Sequence, residues 1–236
     1  MNRSAGWALL GVLCLIPTVG PAEESPLPQA WADAMGVESA AGVRYPIASE
    51  EVSAAFGWAA GSGLATASWA LGGASAGANL ATGATLRLVD GAGPVPALVV
   101  LAYPTLHAVQ GEPSADLRRA LDADPAADVF GPEAVLGMYE NYLGGPVDDA
   151  TPLYAVPGKA TPVELAGFPP TIIVNSEVDE LRVSGEAFAA TLAAAGVDVD
   201  VVTEAGTTHG HLNQPDHPGA TATLDRFAAR ILALAP

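Results

Sequence analysis

A chain of 236 residues is long enough for one α/β domain with a full core, and 50% hydrophobic with 15% charged residues is a globular composition, not a disordered one. The formal charge of −17, with Lys159 the only lysine, repels phosphate backbones and anionic lipids and argues against nucleic acid or membrane surfaces as partners. A single cysteine, Cys14, excludes an intrachain disulfide and every cysteine-based metal site.

Asn2-Arg3 precedes an apolar run from Ala5 to Ile16, followed by Pro17 and small residues at Gly20 and Ala22. Residues 1–22 therefore have the layout of a signal peptide and, equally, of a buried strand or helix, which leaves cytoplasm and secretion both open. The run is too short to span a bilayer, and nothing else in the sequence looks transmembrane. Residues 21–43 read as loop with a short helix around Ala30–Met35. From Pro46 the pattern sharpens. Ile47, Val52, Ala55, Phe56 and Ala59 share one helical face and Glu50 and Glu51 the other, giving a helix over Ile47–Ala59 closed by Gly61 and Gly63.

Thr66–Leu71 is a short apolar run that ends in paired glycines, and the Ala-rich segment after Ser75 reads as helix to Leu88. Ala97–Leu101 is a continuous apolar strand. Residues 107–146 carry two helical patterns, Ser114–Ala123 and Pro132–Tyr142, and residues 144–170 are mostly irregular. Thr171–Asn175 is a buried strand, Leu181–Ala195 a helix with Gly196 at C′, and Asp198–Glu204 a further strand. Ala205–Pro218 reads as loop and Thr221–Leu234 as a closing amphipathic helix. Helices alternating with short apolar strands predict an α/β fold, a three-layer sandwich around a mostly parallel sheet. No internal repeat is visible.

Gly73-Ala-Ser-Ala-Gly77 fits G-x-S-x-G between a strand and a helix, the context that motif needs. A turn this sharp holds the serine backbone under strain and leaves no room for side chains two positions either side, which Gly73 and Gly77 lack. The helix start behind Ser75 supplies a positive dipole end suited to a developing oxyanion. In parallel α/β sheets reactive groups collect at the carboxyl ends of strands. Ser75, Asp179 and His209 all fall there, and Ser-Asp-His is the chain order of the α/β-hydrolase triad. In that scheme His209 takes the Ser75 proton, Asp179 fixes the imidazole tautomer, and an ester carbonyl is attacked. His209-x-His211 with Asp216-His217 has a superficial likeness to the metal run of metallo-β-lactamase-type hydrolases. Four residues intervene where that run needs one, and only His107 remains elsewhere, so no metal site is expected.

Gly72-Gly-Ala-Ser-Ala-Gly-Ala-Asn-Leu80 resembles the nucleophile elbow of the hormone-sensitive-lipase-like branch of α/β hydrolases, where an Asn such as Asn79 commonly follows the elbow. Arg44–Val52 resembles the segment leading into the helix before the nucleophile strand. Pro169–Arg182 is similar to the acid-bearing strand and loop, placing the acid at Asp179. Gly206-Thr-Thr-His-Gly210 resembles the histidine loop, placing the base at His209. The resemblance covers about Arg44 to the C-terminus. It implies hydrolysis of small-molecule carboxylic esters, short-chain or aryl esters in preference to triglycerides, without metal or organic cofactor.

Relatives carry an H-G-G segment upstream, whose backbone N–H groups complete the oxyanion hole. No H-G-G occurs in residues 1–45. The expectation is therefore an α/β-hydrolase fold missing its N-terminal strands, with the Ala76 N–H as the remaining oxyanion donor and impaired turnover. Residues 44–236 would form the catalytic domain, with a helical insertion at about 107–146, and residues 1–43 an atypical segment, signal-like or from a misread start. The edge beside Thr66–Leu71 would be bare, patched by residues 7–16 or paired with a second copy of the chain in a homo-oligomer. Tyr103, Phe130, Tyr139 and Tyr142 are either pocket-lining or ordinary core aromatics. A non-catalytic small-molecule binder of this fold, as among the plant gibberellin receptors, or an inactive fragment, stays open as the alternative.

Overall fold

The computed structural model describes residues 16–17, 44–63 and 68–234. The helix expected around Ala30–Met35, and all of the signal-like segment except Ile16–Pro17, lie outside the described residues. Among the described residues five strands form one sheet in sequence order: β1 (Ile16–Pro17), β2 (Trp69–Ala74), β3 (Leu98–Ala102), β4 (Thr171–Val178) and β5 (Val199–Thr208). Strands β2 to β5 are parallel, and β1 runs antiparallel along β2 through Ile16↔Ala70 and Pro17↔Trp69. The edge expected to be bare is thus paired at its first two residues. Beyond them, among the described residues, no strand flanks Gly72–Ala74 on that side.

Among the described residues six α-helices accompany the strands: α1 (Ile47–Gly61), α2 (Ala76–Asp90), α3 (Ala115–Ala123), α4 (Pro132–Leu143), α5 (Arg182–Ala194) and α6 (Pro218–Leu232). The period-2 geometry of a strand turns each apolar run into two half-sets, one for each face. Leu71, Val99, Leu101 and Ile173 point to one core with Phe56 of α1, Ala81 of α2 and Phe188 of α5. Ala70, Leu98, Val100, Ile172 and Val174 point to the other, with Phe227 and Ile231 of α6. This is the expected three-layer arrangement. Leu71, Leu101 and Ile173 are fully excluded from solvent, and burial on this scale stabilises by about 1.5–3 kcal/mol per side chain.

Several boundaries differ from the sequence reading, among them β4, which runs on from Asn175 to Val178, and three have a clear local reason. Strand β2 continues through Gly72 and Gly73 to Ala74. The glycines do not end it; they let it lie close, since a Cβ on Gly72 would sit 2.8 Å from the Val100 carbonyl oxygen. Strand β5 extends past Glu204 to Thr208 across an irregularity in which the step from Ser176 to Val178 on β4 matches that from Glu204 to Thr208 on β5. Helix α6 starts at Pro218, whose fixed φ suits a first turn, and the His217 ring accepts the Gly219 N–H at 3.0 Å.

Candidate active site

The elbow is built as its residue types require. The Ser75 N–H donates to the Ala102 carbonyl at 3.0 Å, so the turn is anchored on β3 as the chain leaves β2. Ser75 has φ 54° and ψ −120°, a conformation that L-residues rarely adopt. A Cβ on Gly73 would lie 2.2 Å from the Gly77 carbonyl oxygen and 2.7 Å from the Ala78 nitrogen, both backbone atoms. Ala76 opens α2, so its N–H is among those an α-helix leaves without an intrahelical acceptor, beside the positive end of the helix dipole.

Strand register brings the other two groups together. Val178 and Thr208 are direct partners across β4 and β5, and the next residue on each strand is Asp179 and His209. Adjacent strands lie about 4.8 Å apart, so two side chains leaving neighbouring carboxyl ends are already within reach. His209 Nδ1 lies 2.7 Å from Asp179 Oδ2, and His209 Nε2 lies 2.9 Å from Ser75 Oγ. Because an ionised carboxylate only accepts, Nδ1 carries the proton and Nε2 accepts from the Ser75 hydroxyl. The Asp179 side chain is fully buried, while that of His209 keeps 17% exposure. The second carboxylate oxygen of Asp179 accepts the Leu181 N–H at 3.0 Å, so one side chain serves both the imidazole and the turn that starts α5.

Tyr103 ends β3 at φ 35°, its N–H held by the Val174 carbonyl at 2.7 Å. Its ring meets those of His209 and His211 edge-on, with centroids 4.9 and 5.0 Å away. Burial, joined by the charge of Asp179, pushes its hydroxyl up to about 12, so it stays neutral. Ser75 and Tyr103 are two of the three non-glycine residues with positive φ among the described residues, and both stand at the site. His211, considered above for a metal run, is buried between two hydroxyls, Nδ1 2.9 Å from Ser176 Oγ and Nε2 2.9 Å from Thr223 Oγ1. Burial, offset only in part by the Glu204 carboxylate, holds its pKa below the usual histidine value. Among the described residues no group of three His, Cys, Asp or Glu is placed to hold a metal.

The four aromatics divide. Phe130 packs on the His209 imidazole, with centroids 4.4 Å apart, and Tyr103 adjoins it as described. Tyr139 is buried in the core beneath α4, and Tyr142 and Phe130 both pack against that core. The Tyr139 hydroxyl donates to Asn79 Oδ1 at 2.8 Å, and Asn79 Nδ2 donates to the Ala155 carbonyl at 3.1 Å. Asn79, one turn into α2, therefore ties the elbow helix to α4 and to the irregular segment. The sequence reading did not single out Glu180 for the site; its carboxylate accepts the Phe130 N–H at 2.8 Å. A contact between residues fifty apart leaves no local signal.

A parallel sheet with a strained serine at the tip of one strand and an Asp–His pair at the tips of two others is α/β-hydrolase architecture. The comparisons agree. The alpha/beta hydrolase fold family matches residues 38–213. Carboxylesterase NlhH of Mycobacterium tuberculosis is 34% identical over 144 residues, 61% of this chain and 43% of that protein. Esterase LipI of the same species is 32% identical over 188 residues, 77% of this chain and 56% of that protein. A solved esterase from the bacterial hormone-sensitive lipase family superposes with a TM-score of 0.69 at 25% identity, covering 82% of this chain and 62% of that one. The chain belongs to the alpha/beta hydrolase fold family, in its hormone-sensitive-lipase-like branch. It spans about half the length of the curated relatives it matches.

Proposed function

We propose that this chain hydrolyses carboxylic esters through an acyl-enzyme, with Ser75 as nucleophile, His209 as general base and acid, and Asp179 orienting the imidazole. The observation that carries the reading is the continuous hydrogen-bond path from the Ser75 hydroxyl through both His209 nitrogens to the buried Asp179 carboxylate. Ser75 Oγ gives its proton to His209 Nε2 as it bonds to the ester carbonyl carbon. The negative charge that develops on the carbonyl oxygen is met by the Ala76 N–H at the start of α2. His209 then returns the proton to the departing alcohol, and water repeats the sequence to free the acid. Asp179 stays ionised throughout and stabilises the imidazolium. No step calls for a metal or organic cofactor.

The matched esterases support the reaction class. Short-chain or aryl esters are the proposed substrates, since the aromatic groups beside His209 are Phe130 and Tyr103 and Tyr139 is taken up in the core. The test is labelling of the full chain with a fluorophosphonate, with Ser75→Ala as control, alongside hydrolysis of p-nitrophenyl acetate. Stoichiometric labelling that vanishes in Ser75→Ala is expected. A folded chain that neither labels nor turns over the ester would refute the esterase reading and favour a non-catalytic binder.

A further inference from the structure

Phe130 lies in the link between α3 and α4, in a stretch with no regular structure of its own, yet its place is fixed from both sides. Its N–H donates to Glu180 Oε2 at 2.8 Å, and its carbonyl accepts from Gln110 Nε2 at 3.0 Å. Both partners come from other loops, Gln110 from the one after β3 and Glu180 from the turn that holds Asp179. Glu180 is buried to 6% exposure. Its other oxygen is 4.0 Å from Arg118 Nη1 of α3, and Arg118 also pairs with Asp122 and Asp128. The partners of Glu180 are the Arg118 guanidinium, the Phe130 N–H and the Asp128 carboxyl group, and burial with the charge of Asp128 raises its pKa.

The clamp borders a cavity of about 110 Å³ lined by Gln110, Pro113, Arg118, Pro132, Glu180 and Val183. On that side the link is held by polar contacts, while Phe130 also packs against the apolar cluster of Ala108, Val135, Tyr139 and Leu181. What the clamp presents to the site is the Phe130 ring, tilted by 58° against the imidazole. A closed circuit results: Asp179 binds His209, His209 meets Phe130, Phe130 is held by Glu180, and Glu180 is bonded covalently to Asp179.

We propose that Glu180 and Gln110 are positioning residues that hold Phe130 against the His209 imidazole, making the α3–α4 link the wall on the leaving-group side of the reaction centre. This rests on the reading of Ser75 and His209 as reacting groups. Since His209 must reach the departing oxygen to protonate it, a group packed on the imidazole borders the space the alcohol leaves through. An aromatic wall there fits a flat, apolar leaving group such as a phenol, by stacking and by excluding water.

The experiment combines a spectroscopic and a kinetic readout on the full chain. With four histidines in the sequence, the His209 Hε1 proton resonance is assigned by its absence in His209→Gln. Phe130→Ala removes the aromatic ring current and moves that resonance. Glu180→Ala is expected to move it most of the way to the same position, Gln110→Ala part of the way, and Glu180→Gln, which keeps an acceptor oxygen, little. Hydrolysis of phenyl acetate is expected to fall about tenfold in kcat/KM in Phe130→Ala and Glu180→Ala, with a smaller loss on methyl acetate. The double variant should be no worse than Phe130→Ala, because Glu180 acts through Phe130.

An unmoved resonance in Glu180→Ala, or additive losses in the double variant, overturns the clamp. Equal losses on the two esters overturn the leaving-group role. If the resonances shift as expected but the wild-type chain hydrolyses neither ester, the esterase reading fails and the clamp stands.

Discussion

Gly73→Ala tests the elbow with a single methyl group. The added Cβ would stand 2.2 Å from the Gly77 carbonyl oxygen and 2.3 Å from its carbon, where ordinary contact begins at 3.4 Å. Both are backbone atoms in the first turn of α2, so no rotamer change relieves the clash. The strand end and the helix start must separate by about 1 Å. Ser75 sits between them, and its 2.9 Å hydrogen bond to His209 Nε2 would lengthen towards 4 Å, past useful hydrogen-bond range. A misplacement of about 1 Å costs on the order of 100-fold in rate, and overpacking of this kind destabilises by about 1–3 kcal/mol. The assay is the second-order rate of fluorophosphonate labelling at Ser75, with urea denaturation on the same samples. Gly137→Ala is the control. Gly137 is exposed on α4, and a Cβ added there would meet nothing within 4 Å. That change should stabilise the helix by about 0.5–1 kcal/mol with labelling unaltered. A folded Gly73→Ala protein that labels at the wild-type rate would refute the steric account of the elbow.

Asp179→Asn keeps an oxygen for the Leu181 N–H but offers His209 the wrong partner chemistry. Labelling should fall by about 10⁴-fold with the fold intact by circular dichroism, and a loss below tenfold would contradict the orienting role. Asn79→Ala strands the Ala155 carbonyl and leaves the Tyr139 hydroxyl only the Thr105 carbonyl as acceptor, and thermal denaturation should show a loss of about 1–3 kcal/mol, on the order of 5 °C. His107 and His211 both have pKa values lowered chiefly by burial, so the folded chain resists protonating them. As pH falls below about 6.5 the unfolded state takes up those protons first, and stability is lost at up to about 1.4 kcal/mol per pH unit for each histidine. The loss continues down to the lowered folded-state values. Urea midpoints at pH 7.5 and 5.5 check this, and an unchanged midpoint counts against it. Glu180, raised by burial and by the charge of Asp128, acts with the opposite sign as it protonates, and moderates the loss at the acid end.

The elements that could be read from the sequence are those whose cause is local. Leu98–Ala102 and Thr171–Val174 declare themselves as unbroken apolar runs because both faces are buried. Ser75 was legible because Gly73 and Gly77 have no other evident reason to flank it at that spacing. Asp179 and His209 could be chosen by strand-end position and chain order alone. Their mutual distance depends on the β4–β5 register, which no short window of sequence contains. The same limit hides Glu180, whose contact with Phe130 spans fifty positions, and the contacts of Asn79, whose partners lie 60 and 76 positions away. The extension of β5 was missed because Ala205-Gly-Thr207 has the composition of a turn. It is one in part: Gly206 adopts φ +71°, yet the segment is stitched to β4 by the Glu177 carboxylate at the Gly206 N–H and by Thr207 Oγ1 at the Glu177 N–H.

That stitched irregularity also sets how the chain tolerates changes in length. Four steps on β5 against two on β4 amount to a pair of surplus residues spent before Thr208. Trimming two residues from Ala205–Thr207 looks harmless on a surface map, and it would even restore regular pairing. Thr208 would stay opposite Val178, and His209 beside Asp179, and what would be lost is the hold of Gly206 and Thr207 on Glu177. The segment is where the strand takes up residues in pairs, since the match of Thr208 to Val178 sets the imidazole whatever number precedes it.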